Sequence, residues 1–174
     1  MIIMEAIKKI EINKIIKIIS ITILGTLLLT ISAKIKIPFY PVPMTMQTFV
    51  VLLLGITLSS KIATITVGLY LLEGILGLPV FAGTPEKGIG LLYFTGPTMG
   101  YLIGFLFAAY LSGYFKYRNS FKKNIFINTI NNFLKLLISV SVIYLFGLAW
   151  LGFLVGWEKP IFQLGLQPFL PAEL

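Results

Sequence analysis

The 174-residue chain is 57% hydrophobic, 14% aromatic and only 11% charged, with a mean hydropathy of +0.97. One usual domain length of about 150 residues, at less than half the roughly 25% charge of a soluble domain, makes residues 1–174 a single integral membrane domain. The absence of Cys and His excludes disulfide frameworks, His/Cys metal and haem sites and Ser-His or Cys-His nucleophile pairs, and the net charge of +8 fits loops held against anionic lipid better than nucleic acid.

A bilayer core of about 30 Å needs roughly 20 apolar helical residues, because lipid offers the backbone no hydrogen-bond partner. The first such run is Ile15 to Ala33, preceded by Lys8, Lys9, Lys14 and Lys17. Several apolar runs follow it, so it reads as an anchor and not as a signal peptide. The Pro-rich break KIPFYPVP leads to a short second run, Gln47 to Leu58, then a polar turn at Ser59, Ser60 and Lys61. Pro38, Pro41 and Pro43 in that break make a stiff strap, which serves equally as a lid or a plain connector. The third run is Ile62 to Leu78, ended by Gly77, Pro79 and Gly83; residues 79–95 form a loop containing GTPEKGIG. The fourth is Pro97 to Phe115, with Gly96-Pro97-Thr98 suited to a helix start. After the basic segment Lys116 to Asn124, an amphipathic turn through Asn128, Asn131 and Asn132 precedes a fifth run, Phe133 to Val155, and a polar tail.

The expected fold is therefore all-α, a polytopic helix bundle with five visible spans. A cytoplasmic N-terminus puts nine basic residues in inner loops and four (Lys34, Lys36, Lys87, Lys159) in outer ones, as the positive-inside bias requires.

No phosphate-binding loop exists, because no Lys follows a Gly anywhere in the chain, and no dinucleotide fingerprint is present. Any ATP must be hydrolysed elsewhere. With no close acidic pair, no metal set and no cofactor motif, an enzyme is not expected. The exception among the six carboxylates is Glu73, inside the third run, where a charge costs about 2.5–3.5 kcal/mol at a helix centre. Thr66, Tyr70 and Gly77 share its helical face. Two readings stand: a neutral Glu hydrogen-bonding a neighbouring helix, or a ligand or ion site. Gly96, Gly100, Gly104, Ala108 and Ser112 form a small-residue stripe on the fourth span, expected to pack within the chain.

Five segments together resemble one family. VPMTMQT (42–48), LYLLEGILGLPVFAG (69–83), GTPEKGIG (83–90), GPTMGYLIGF (96–105) and QPFLPAEL (167–174) are similar to the signature blocks of BioY, the substrate-binding subunit of energy-coupling factor biotin transporters. The resemblance covers residues 30–174 in order. It implies a six-helix subunit of the cytoplasmic membrane with cytoplasmic termini and an outward-opening biotin pocket. It also implies a transmembrane coupling subunit and ABC-type ATPase subunits as partners. The small residues Gly25 and Ala33 of the first span are then candidates for the coupling contact. In the family a final helix follows the block resembling PFLPAEL, with an Asp where Glu173 stands and a Lys one turn later. A chain stopping at Leu174 is then expected to lack that helix, and Met99, where Gly is usual, to crowd the start of the fourth span.

The resemblance implies a pocket drawn from Gln47, Tyr70, Glu73, Phe81, Lys87, Tyr93, Thr98, Tyr101 and Glu173. Within it Glu73 is placed to accept a ureido N–H and Gln47 to serve the ureido carbonyl. Tyr93 and Tyr101 flank the bicycle, while Thr98 or Lys87 receives the carboxylate. Without the resemblance, the same residues read as a small ion-coupled transporter with Glu73 as its proton or cation site.

Overall fold

The computed structural model describes residues 2–115 and 125–170. The basic cluster Lys116, Arg118, Lys122 and Lys123, and the site candidate Glu173, lie outside the described residues. Among the described residues the α-helices run in chain order as α1 (Ile2–Lys34), α2 (Gln47–Thr57), α3 (Ser60–Ile75), α4 (Met99–Tyr114), α5 (Ile125–Val155) and the short α6 (Ile161–Gly165). A 3-10 turn, Gly90–Thr95, precedes α4. The all-α expectation needs one correction. The Pro-rich strap is flanked by two short antiparallel strands, β1 (Lys36–Ile37) and β2 (Met44–Thr45), with Lys36 opposite Thr45 and Ile37 opposite Met44.

Helix lengths also differ from the expected spans. Among the described residues two helices are long and apolar enough to cross a bilayer: Ile12–Lys34, 23 residues, and Ile125–Val155, 31 residues. At about 1.5 Å per residue, α2 reaches roughly 16 Å and α4 roughly 24 Å, short of a full hydrocarbon core. The fifth helix absorbs the Asn-rich turn expected before Phe133, because neither Pro nor Gly interrupts the chain between Ile125 and Phe146. The third ends at Ile75, three residues early. Gly77 takes φ +94°, Leu78 N–H donates to Glu73 O at 3.0 Å and Gly77 N–H to Gly74 O at 3.1 Å, a Schellman termination. The fourth starts at Met99, with Thr98 at its cap and Pro97 just outside. Met99 is half-buried and the helix runs through it without interruption.

Packing centres on α4, which touches α2, α3 and α5, while α1 lies against α3 and α2. The small-residue stripe explains the closeness. A Cβ on Gly104 would sit 2.7 Å from Ile143 Cα, and one on Gly100 would meet the Phe146 carbonyl, so α4 and α5 approach backbone to backbone. Ala108 and Ser112 continue the stripe fully buried. At one end of this pair Trp150 Nε1 donates to Gly96 O at 2.9 Å.

One face of α1, carrying Thr22, Gly25, Thr26, Leu29 and Ala33, is buried; the other carries exposed Ile15, Ile19, Ile23 and Leu27. The buried hydroxyls bond within the helix, Thr22 to Ile18 O at 2.9 Å and Thr26 to Ile23 O at 3.0 Å, so none is orphaned in an apolar contact. Gly25 faces Thr66 of α3, so it serves packing inside the subunit and is not presented to a coupling partner.

Candidate ligand-binding site

Between the strap, α2, α4 and α5 lies a cavity of about 640 Å³, within the range of small-molecule sites. Its first wall comes from the strap and the start of α2, with Lys36, Met44, Thr45 and Gln47. Thr98, Tyr101 and Phe105 of α4 face it, beside Val140, Ile143 and Tyr144 of α5. Tyr93 of the 3-10 turn and Phe169 of the tail complete it. Lys36 is the single charged side chain on this lining among the described residues.

A hydrogen-bonded chain fixes the polar corner. Thr45 Oγ1 donates to Gln47 Oε1 at 3.1 Å, Gln47 Nε2 donates to Tyr70 Oη at 2.8 Å, and Tyr70 Oη donates to Val80 O at 3.0 Å. Gln47 and Tyr70 are almost wholly buried, so each bond replaces one that water would otherwise make. One Nε2 proton of Gln47 remains for a ligand acceptor among the described residues. Behind this corner Phe81 stacks on Tyr93 at 4.8 Å and meets Tyr70 edge-on at 5.3 Å.

The hydroxyls of two wall tyrosines, Tyr93 and Tyr101, are engaged by backbone carbonyls. Tyr93 Oη donates to Ala82 O at 2.8 Å, and Tyr101 Oη donates to Gly165 O at 2.7 Å. Burial pushes the Tyr93 phenol up from its ordinary value, with a hydrogen bond from Thr98 opposing, so it is neutral at physiological pH.

Of the residues expected in the pocket, the structure brings Gln47, Tyr93, Thr98 and Tyr101 to the cavity wall. Tyr70 and Phe81 stand one layer behind. Two others are displaced from the wall. Glu73 is half-buried on α3 and makes no side-chain hydrogen bond or ion pair among the described residues. Lys87 is exposed and lies across Gly83, whose φ of +79° and lack of a Cβ leave room for it. Phe105, on the same edge of the fourth span as Thr98 and Tyr101, lines the cavity as that edge suggested, whereas sequence reasoning missed Lys36, Met44, Tyr144 and Phe169. The last two contact Tyr101 at 6.1 and 6.2 Å between ring centres, and only the tail's return across the bundle could reveal Phe169.

The model of the BioY family matches residues 5–174. The chain belongs to the BioY family. Among similar members, a probable biotin transporter BioY of Pyrococcus horikoshii is 34% identical over 156 residues, covering 90% of this chain and 86% of that one. The biotin transporter BioY of Thermotoga maritima is 36% identical over 149 residues, covering 86% and 82%. In three dimensions the chain is similar to the crystal structure of the S-component for biotin from an ECF-type ABC transporter. The TM-score is 0.70 at 27% identity, over 92% of this chain and 85% of that one. BioY proteins are transporter components, and the helical, lipid-compatible exterior seen here suits that class.

Proposed function

We propose that this BioY protein is the biotin-binding S-component of an energy-coupling factor transporter, taking biotin from the outer side of the cytoplasmic membrane with its N-terminus inside. The observation that supports this best is the cavity itself. Its wall includes residues 42–48 and the start of α4, where the family blocks VPMTMQT and GPTMGYLIGF lie, and the chain matches a biotin S-component over most of its length. With no nucleotide-binding motif in the chain, inward delivery is assigned to a separate coupling subunit and ABC-type ATPases.

Biotin's chemistry fits the lining. Its bicycle and aliphatic tail suit the aromatic and aliphatic walls of α4 and α5. The spare Gln47 N–H is offered to the ureido carbonyl, Thr98 lends a hydroxyl, and the rings of Tyr93 and Tyr101 flank the bicycle. Lys36 replaces Lys87 as the proposed partner of the carboxylate, because an anion entering an otherwise uncharged lining needs a cation close to it. Tyr70 and Phe81 hold the wall from behind, and Glu73 and Lys87 act from outside it. An ion-coupled exporter built on Glu73 is not favoured: the relatives are named biotin transporters, and Glu73 stands off the cavity.

Radiolabelled biotin retained by the purified chain without ATP, above an unrelated membrane protein of similar size, is the expected result. Equal retention by the two rejects the reading.

A further inference from the structure

The loop at residues 79–84 has carbonyls divided between two sets of partners. Lys34, in the last turn of α1, sends its Nζ to Pro79 O at 2.8 Å, Phe81 O at 2.9 Å and Thr84 O at 3.4 Å. The same ammonium reaches Thr84 Oγ1 at 3.0 Å, and that hydroxyl in turn donates to Phe81 O at 2.7 Å. The intervening carbonyls turn inward. Val80 O accepts from Tyr70 Oη at 3.0 Å, and Ala82 O accepts from Tyr93 Oη at 2.8 Å.

Four successive carbonyls, 79 to 82, are thus held alternately by one ammonium outside and two phenols inside. The segment belongs to no helix or strand, so side chains must satisfy carbonyls that a regular element would pair. An ammonium has three donors and a full charge, which makes it the strongest single clamp available for a cluster of carbonyl oxygens. Both inner bonds lead to the cavity. Ala82 and Tyr93 are on its wall, and Tyr70 is the residue that orients Gln47.

We infer that Lys34 is a positioning residue for the ligand cavity: it holds the 79–84 segment at the depth where Tyr93 and the Tyr70–Gln47 pair form the wall, without touching the ligand. Lys34 is absent from the cavity lining, whereas Lys36, two residues on, is part of it, so the two lysines have separable roles. The ligand readout of this inference rests on the biotin reading; the backbone readout does not.

The test compares the full parent chain in detergent with Lys34→Met, Lys34→Arg and Thr84→Val, by hydrogen exchange with mass spectrometry and by dissociation of radiolabelled biotin. In Lys34→Met, exchange is expected to rise over residues 78–88 only, and biotin to dissociate about tenfold faster. The ratio of biotin to biotin-amide affinity is expected to stay at the parent value. Lys34→Arg should restore both properties, and Thr84→Val should show the same local pattern more weakly, which also covers the case in which Lys34→Met does not fold. Unchanged exchange at 78–88, or exchange raised throughout the chain, overturns the inference. So does a lost preference for biotin over its amide, since Lys34 would then contact the carboxylate itself. If the parent retains no biotin, the functional reading fails, while the exchange pattern still decides the clamp.

Discussion

The Tyr101 hydroxyl donates to the carbonyl of Gly165 at 2.7 Å, joining the first turn of α4 to the end of α6 across 64 residues of sequence. A Cβ on Gly165 would lie 2.6 Å from that oxygen, so glycine is what permits the bond. Through it the tail is tied down and Phe169 reaches the cavity wall. Tyr101→Phe is expected to lose about 1–3 kcal/mol of stability by stranding a buried carbonyl. It should also weaken biotin retention by freeing Phe169. Thermal melting and biotin binding of the variant check both effects.

The Gln47–Tyr70–Val80 chain makes a second, separable prediction. Tyr70→Phe keeps the ring against Phe81 but leaves Gln47 Nε2 and Val80 O without a shared hydroxyl. Biotin affinity is expected to fall about tenfold, or roughly 1.4 kcal/mol, because Gln47 loses its orientation while the aromatic packing survives. Titration calorimetry in detergent reads the change, and an unaltered affinity would show that Gln47 is held by its other contacts.

Charge recognition is assigned to Lys36. Lys36→Met should lower affinity for biotin about tenfold. Affinity for biotin amide, which carries no charge, should remain at the parent value. Equal losses for both ligands would place Lys36 in the shape of the mouth and not in recognition of the anion.

Glu73 separates the sequence expectation from the geometry. A direct ureido contact requires Glu73→Ala to lose more than about tenfold in affinity. Its position off the cavity wall predicts a change within about threefold, or under about 0.7 kcal/mol. Equilibrium binding of biotin to the alanine variant measures which holds.

Helix approach supplies the last prediction. Gly25→Leu drives a side chain into Thr66, and Gly104→Leu drives one into the Ile143 backbone. Both are expected to lower the melting temperature, since overpacking costs about 1–3 kcal/mol. Gly104→Leu should be the worse, because a backbone cannot rotate aside as a side chain can. Parent-like melting of Gly25→Leu with lost co-purification of a coupling subunit would instead make Gly25 a partner contact.

The membrane class, the order of the helices and the small-residue stripe on α4 were legible in the sequence, because each depends on composition or on spacing along one helix. So were Gln47, Thr98 and Tyr101, which sit in segments with distinctive local patterns, while Tyr93 lies between two such segments. The positions of Glu73 and Lys87 were not. Glu73 stood out as a carboxylate in an apolar run, but which way its helix face turns depends on how α3 meets α1 and α4. Lys87 looked like the cation of a signature loop, yet Gly83 lets it fold back along its own backbone. Lys36 and Phe169 lie in segments the sequence singles out, the Pro-rich break and the QPFLPAEL block, but their place on the cavity wall needed the pairing of two short strands for one and the return of the tail across α4 for the other. Lys34 reads as an ordinary basic residue at a helix end until residues 79–84 are brought beside it. Local pattern decides what a segment is, because neighbours along the chain set its torsions and its apolar faces. Only the packing of distant segments decides which side chains share a cavity.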